Sequence, residues 1–472
     1  MAEIHKSTLF APFTPGGETI VSFLNHFLIK RSIKSVLMLI YPVSEVFDSN
    51  PRVVSLDQPK SYLFNLSRLY PSEAKGFHIE FISPENISIP FPAVLIYQRF
   101  HDKINVVHAY SRINSLIHSS MSEFTTEASI ESYYLDDYRP FIDFTVGPDA
   151  TGETLSIDVV APSLETVASV EISPTPLSTT RIYLDACLRQ LGVQYSDFAV
   201  TFPSQQRFYT RLLCGHENIH DHSIIANHSY YPRVTQANTS NHYTLTKYYP
   251  YTSRYRARIS FPSLSTYEGI SVQVDYYSSG NLLISLSRVF TLLTDISTSV
   301  DICGDDSMSD GSVFSLTFRS TNGQPLPTRI AHQLSFSNTP YSDNCHQVRC
   351  SIQETVLLPE YYLSSGKYIC WFSLYFNSLY SAACSLSLSY LPAAADLHVS
   401  VYNESGLLGS FHVSIEPRTS IEIDATQVSS LIGREVKTGH VWFYVTSSSP
   451  GIYGYIINSH TLSPHLTAEH VF

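Results

Sequence analysis

The feature that most constrains this chain is an alternation of apolar and polar residues with a period of two, repeated along most of its length. Leu155, Ile157 and Val159 alternate with Ser156 and Asp158, and Ile270, Val272, Val274 and Tyr276 with Ser271, Gln273 and Asp275. Leu397, Val399 and Val401 alternate with His398 and Ser400, and Val441, Phe443 and Val445 with Trp442 and Tyr444. Successive side chains of a strand point to opposite faces, so each run places one face in a core and the other toward water or a second layer. Turn residues separate the runs at short intervals, the spacing of sandwiches and barrels. Only residues 111–124 and 425–432 carry a helical pattern, and neither suits the crossover of a parallel sheet. The expectation is an all-β chain of several antiparallel β-sandwich domains, immunoglobulin-like or jelly-roll-like, with very little helix.

The 472 residues are 43% hydrophobic and only 15% charged, which supplies large cores and argues against wholesale disorder. Turn and proline clusters at 147–152, 173–178 and 391–396 mark soft boundaries. They divide the chain into an N-terminal sandwich over 1–150, a central region of one or two domains over 151–390, and a C-terminal sandwich over 391–472. In the last, Leu397, Val399, Phe411, Val413, Ile421, Val441 and Phe443 are expected to face inward. No repeat of 20 to 50 residues stands out, so a solenoid or propeller is not expected.

The net charge of −12 disfavours nucleic acid, whose phosphates demand a basic surface, and anionic membranes for the same reason. Arg254, Arg256 and Arg258 alternate with Tyr255 and Ala257 and read as one polar face of a strand. Residues 1–13 lack the pattern of a secretory signal. The apolar stretch 20–41 is broken by Asn25, His26, Lys30, Arg31 and Lys34 and does not span a bilayer. The expectation is a chain that is cytoplasmic or exported without an N-terminal mark. Seven cysteines, at 187, 214, 303, 345, 350, 370 and 384, form an odd, clustered set that reads as buried thiols, with a Cys345–Cys350 bridge as the alternative.

Three kinds of group could carry chemistry: histidine clusters, an acidic loop and an aromatic run. His216-Glu217-Asn-Ile-His220 has the spacing that places two imidazoles on one helix face for zinc, but Gly215, Asn218 and Asp221 favour turns and strands there. A looser set, His216, His220, His222 and His228 with Cys214 nearby, could share a metal on a loop and its neighbouring strand, or be a solvated His-rich loop. His460, His465, Glu469 and His470 are competent ligands too, and an exposed polar tail explains them equally. Asp301, Asp305, Asp306 and Asp310, closed by Gly311, could offer oxygens to calcium, but their spacing departs from the EF-hand pattern. No cofactor is expected, zinc or calcium being the alternative. The third group is aromatic. Tyr230, Tyr231, Tyr243, Tyr248, Tyr249 and Tyr251 lie among Asn, Thr and Ser with few aliphatic anchors, which suits an exposed surface recognising a glycan or a neighbouring subunit. Ordinary strand packing is the other reading.

The C-terminal strand grammar, with turns at Asn403-Glu-Ser-Gly406 and Glu416-Pro417, resembles the immunoglobulin-like or fibronectin-like modules of many bacterial proteins. The stretches Phe23-Leu-Asn-His-Phe-Leu-Ile-Lys-Arg31, Ile89-Pro-Phe-Pro-Ala-Val94, Ala226-Asn-His-Ser-Tyr-Tyr231 and Glu469-His-Val-Phe472 resemble an uncharacterised group of bacterial all-β proteins that accompany surface-polysaccharide genes. The resemblance implies glycans and no catalytic motif. The chain has no Gly-x-Ser-x-Gly elbow, phosphate-binding loop, dinucleotide fingerprint or Cys-x-x-Cys pair. The leading expectation is therefore a non-catalytic binding or structural protein, recognising a glycan or other protein subunits and able to form homo-oligomers. The alternative is a metal-dependent enzyme acting on a carbohydrate through the 214–228 His cluster.

Overall fold

The computed structural model describes residues 4–472 except 45–49, 71–73, 88, 90–92, 115–124, 128–130, 134–136, 149–153, 174, 203–211, 230–240, 264–266, 294–298, 303–306, 328, 338–349, 358–367, 391–392, 434–435 and 437–438. Its strands fall into four successive units.

Unit 1 runs through β1 (Lys6–Pro12), β2 (Glu18–Leu24), α1 (His26–Arg31), β3 (Leu37–Val43), β4 (Arg52–Ser55), β5 (Ser61–Asn65), α2 (Leu66–Leu69), β6 (Gly76–Ile82), β7 (Val94–Phe100) and β8 (Lys103–His108), with β9 (Arg112–Asn114) added beside β1. Unit 2 comprises β10 (Thr125–Glu127), β11 (Glu131–Tyr133), β12 (Tyr138–Thr145), β13 (Leu155–Val160), β14 (Thr166–Ile172), β15 (Thr179–Tyr183), α3 (Asp185–Leu191), β16 (Tyr195–Asp197), β17 (Ala199–Phe202), β18 (Leu213–Asn218) and β19 (Ile224–His228). Unit 3 comprises β20 (Thr244–Pro250), β21 (Arg256–Ser260), β22 (Ile270–Ser278), β23 (Asn281–Leu282), β24 (Arg288–Thr291), β25 (Ser299–Ile302), β26 (Val313–Ser320), β27 (Arg329–Ser337) and β28 (Cys350–Leu357). Unit 4 comprises β29 (Ile369–Phe376), β30 (Tyr380–Leu388), β31 (Ala395–Asn403), β32 (Gly406–Ile415), β33 (Ser420–Asp424), α4 (Ala425–Ile432), β34 (Gly439–Ser447), β35 (Ile452–His460) and β36 (Leu466–His470).

Numbered within a unit, the strands pair the same way every time. One sheet has the order 4-3-6-1 and the other 5-2-7-8, with antiparallel pairing throughout. Unit 2 splits its first and sixth positions into β10 and β11 and into β16 and β17, and unit 3 splits its fourth into β23 and β24. A short helix follows the fifth strand in units 1, 2 and 4. Asn65 and Asp424 cap two of these helices by accepting from the backbone of Arg68 and Gln427, and Gly192 and Gly433 end α3 and α4 in the left-handed region. The chain is therefore a four-fold internal repeat whose copies begin at Lys6, Thr125, Thr244 and Ile369. In each unit buried side chains from both sheets meet in one core, as Leu374, Leu397 and Phe443 meet Cys384, Leu386 and Ile423 in unit 4.

The all-β expectation holds, and α4 lies where the helical pattern put it. Residues Arg112–Asn114, read as helix, form β9, and the rest of that stretch lies outside the described residues. The boundaries need correction. The clusters at 147–152 and 391–396 are connections between second and third strands, so β29 and β30 belong to the C-terminal sandwich and β12 to unit 2. Proline and glycine mark turns inside a sandwich as strongly as linkers between sandwiches. All seven residues expected inside the C-terminal module pack in its core. Cys350 is a buried thiol, while Cys303 and Cys345 lie outside the described residues.

Strands β7 and β35 are buried on both faces, because the outer faces of their 5-2-7-8 sheets are covered by other units. Trp442 of β34, in the 4-3-6-1 sheet of unit 4, is one of the side chains that cover unit 1. It lies opposite the core residues Val441 and Phe443, yet it is fully buried, packed among unit 1 residues with its Nε1 donating to Ser22 Oγ at 2.8 Å. Tyr455 of unit 4 donates to the Pro250 carbonyl of unit 3 at 2.7 Å. The units pack as one body. No helix among the described residues is long and apolar enough to cross a membrane.

Candidate functional site at the junction of the units

The four eighth strands meet around one centre. β8 touches β19 and β36, and β28 touches the same two strands. An eighth strand is the edge of its sheet, so every second residue presents backbone groups that no strand pairs. Side chains from neighbouring units take those groups. Asn105 of unit 1 accepts from the Ala226 amide of unit 2 at 2.9 Å. Asn227 of unit 2 donates to the Ala468 carbonyl of unit 4 at 2.9 Å. Thr467 and Glu469 of unit 4 accept from the Val106 and His108 amides of unit 1 at 3.0 and 2.7 Å. Buried backbone groups left unpaired would each cost about 1–3 kcal/mol, so this polar lacing joins the edges of units 1, 2 and 4, while β28 packs against β19 and β36.

Three of these strands end on a histidine at the same position. His108 pairs with Leu95, His228 with Leu213 and His470 with Tyr455, each opposite the start or middle of its seventh strand. In every case the next residue donates its amide to the residue before that partner, so the backbones superpose in register. The rings cluster, with centroids of His108 and His228 4.0 Å apart and of His108 and His470 4.8 Å apart. Glu469 Oε1 lies 3.2 Å from His108 Nδ1 and 3.2 Å from His470 Nδ1. The carboxylate is fixed by backbone amides, Oε2 accepting from His108 and Oε1 from His470. His228 Nδ1 lies 2.8 Å from the Ser229 carbonyl, which assigns the proton to Nδ1 and the lone pair to Nε2. One ligand atom from each of these four residues lies within 4.8 Å of the others. Among the described residues this is the one such group of three or more His, Cys, Asp or Glu. Three imidazoles and a carboxylate are a donor set for a first-row transition metal.

Unit 3 supplies different chemistry. β28 has no histidine, and its Glu354 pairs with Lys247 of β20 at 2.8 Å, both fully buried. Burial pulls the Lys247 ammonium down, and Lys247 holds the Glu354 carboxyl below its usual range against burial. Lys247 also sits 4.1 Å over the Tyr453 ring of unit 4, which favours the ionised pair.

The other sequence candidates lie elsewhere. His216 and Glu217 occupy adjacent positions of β18, not a helix, so they take opposite faces. His216 stacks on Tyr133 at 3.9 Å. Burial pushes the Glu217 carboxyl up, but hydrogen bonds with His222 and Tyr183 and the Arg181 charge hold it below its usual range. His220 lies in the exposed turn, 3.0 Å from Asp137. Of the four histidines of that group, only His228 reaches the junction cluster. The C-terminal residues are not an exposed tail: His465 and Glu469 are buried, because β36 forms part of the junction. Asp301 pairs with Arg258 and Asp310 accepts from Ser253, while Asp305 and Asp306 lie outside the described residues.

The expected exposure of the tyrosine segment needs correction. Tyr249 is buried in unit 3, stacked on Phe314 and bonded to His332. Tyr248 is buried where unit 3 meets unit 4, its amide donating to the Ser389 carbonyl at 2.7 Å. Tyr251 is half-buried, Tyr243 is exposed, and Tyr230 and Tyr231 lie outside the described residues. A strand packed between two units buries both faces, so rings replace the aliphatic alternation of a one-sided strand.

His108 was not visible as a candidate in the sequence. Its signal is the recurrence of Val107-His108-Ala109, Asn227-His228-Ser229 and Glu469-His470-Val471 at equivalent places in three units.

No protein-family model matches this chain, and no curated protein matches it. Among solved structures, the full-length RrgB pilus protein from Streptococcus pneumoniae aligns over 97% of this chain and 86% of that one, at 9% identity and a TM-score of 0.12. That likeness is too low to carry an argument.

Proposed function

We propose that this chain is a non-catalytic structural protein that assembles with further copies of itself through the rim of the molecule. The observation behind this reading is the edge of unit 3. There β23, the turn after it and β24 present Leu282, Ile284 and Val289 to solvent at 45%, 77% and 68% exposure. An edge strand offers unpaired backbone groups, and apolar side chains beside them favour strand addition by another chain. Val53 of β4 and Leu407 of β32 are single exposed apolar residues at 56% and 58%, whereas the unit 3 edge groups three. β14 carries Glu171 and follows a register shift in β13, and β32 is sheltered by α4, whose Ile432 lies against Gly409. The unit 3 edge is therefore the natural contact, and a second copy of the same antiparallel edge is its simplest occupant.

Sedimentation velocity across a concentration series, with negative-stain microscopy, tests the reading. Dimers or higher assemblies that dissociate in a Val289→Lys, Ile284→Lys variant support it. A monomer at every concentration, together with binding on a glycan array that is lost in Tyr243→Ala, would replace it with glycan recognition.

A further inference from the structure

We propose that His108, His228, Glu469 and His470 bind one divalent first-row transition-metal ion of the zinc type, which clamps units 1, 2 and 4 together at the junction. The inference is independent of the assembly reading, since it rests on the junction and not on the rim.

The donor set decides the class of ion. Imidazole nitrogens suit zinc, cobalt, nickel and copper, whereas calcium and magnesium take oxygen ligands almost exclusively. The geometry is near that of a loaded site. Donors on a four-coordinate ion with bonds of about 2.0–2.1 Å stand about 3.3 Å apart. The two nitrogen-to-oxygen distances centred on Glu469 are 3.2 Å, and no pair in the set is more than 4.8 Å apart. The supporting contacts are those a ligand shell needs. The Glu469 carboxylate is aimed by the amides of His108 and His470, and the His228 ring by the Ser229 carbonyl. His470 retains 24% side-chain exposure, against 3% for His108 and none for Glu469, so an ion has a way in from one side.

The placement implies a clamp. The ligands come from the ends of three eighth strands, so no single unit supplies the three or four that a zinc-type ion needs. Four ligands closing over three units tie segments that are far apart in sequence, which couples metal affinity to the native arrangement.

The test uses the full chain without a polyhistidine tag, stripped with chelator and dialysed. Titration with Zn²⁺ should show one equivalent bound and a rise in melting temperature, and Ca²⁺ should leave it unmoved. Co²⁺ should give the intense visible d–d absorption of a four-coordinate N/O site. Glu469→Gln and His228→Ala should each abolish that absorption and weaken Zn²⁺ binding about 100-fold or more. Because both residues are buried, His470→Asn, at the one partly exposed ligand, provides a variant expected to fold and still to lose the Co²⁺ signal. Absence of stoichiometric Zn²⁺ or Co²⁺ binding by the wild-type chain would overturn the proposal. So would binding that survives in all three variants, because the ion would then be held elsewhere.

Discussion

The centre and the rim of this molecule are built from the same kind of element and treat it in opposite ways. At the centre four eighth strands end their sheets against one another, and at the rim four fourth strands end theirs against solvent. The eighth strands of units 1, 2 and 4 are laced by Asn105, Asn227, Thr467 and Glu469, so a polar cluster forms where backbone edges would otherwise be orphaned. The fourth strands have no such neighbours, and β24 exposes Val289 instead. An edge strand thus has no intrinsic role; its side chains and neighbours decide whether it closes a junction or offers a contact.

The largest expected effect is acid. His26 and His465 are lowered to about 4 and His332 and His440 to about 3, in each case chiefly by burial. A depressed folded value means the unfolded chain binds the proton first. The stability of the neutral rings is therefore complete above pH 6.5 and falls as pH drops toward 4 or 3. Each imidazole removes up to about 1.4 kcal/mol per pH unit, so the four together remove about 3 kcal/mol per unit near pH 6.5 and about 5 kcal/mol per unit about one unit lower. Three of them face the boundary of units 1 and 4: His26 beside Trp371, His440 against Tyr97, and His465 on the Ile104 carbonyl. Urea titrations between pH 7.5 and 5 should show this slope, made shallower by His440→Phe. A flat profile would mean those rings are not buried neutral.

Next is the unit 3 ion pair. Lys247→Met leaves Glu354 buried without its cation and should cost about 3–5 kcal/mol, whereas Lys247→Met with Glu354→Leu should recover most of it. Equal losses in the single and double variants would place the pair in water. Asn227→Ala should cost about 1–3 kcal/mol, because the Ala468 carbonyl loses its donor inside the junction. Val289→Lys at the rim should change stability by less than about 0.5 kcal/mol. A rim substitution as costly as Asn227→Ala would erase the contrast.

Much of this was legible in the sequence, and the rest was hidden for identifiable reasons. Alternation gave the class, and the seven apolar positions of the last unit gave its core. Four-fold repetition escaped because it has a period near 120 residues and survives in strand order, not in side chains. His228 stood out beside His216 and His220 only through proximity in the chain, while its spatial partners are His108 and His470 from other units. Tyr249 read as exposed, and the face of Trp442 stayed open between water and a second layer, because a layer supplied by another unit leaves no local pattern.

The central claim is that the eighth-strand edges are closed by neighbouring units while the rim edges are open. Amide hydrogen exchange at single-residue resolution measures this directly. The amides of Val106, His108 and Ala226, bonded to side chains of other units, should exchange only with global unfolding, while those of β4 and β24 exchange orders of magnitude faster. Exchange at Val106, His108 and Ala226 as fast as at Val53 and Val289 would show that the four units do not close on one another, and the account would fail.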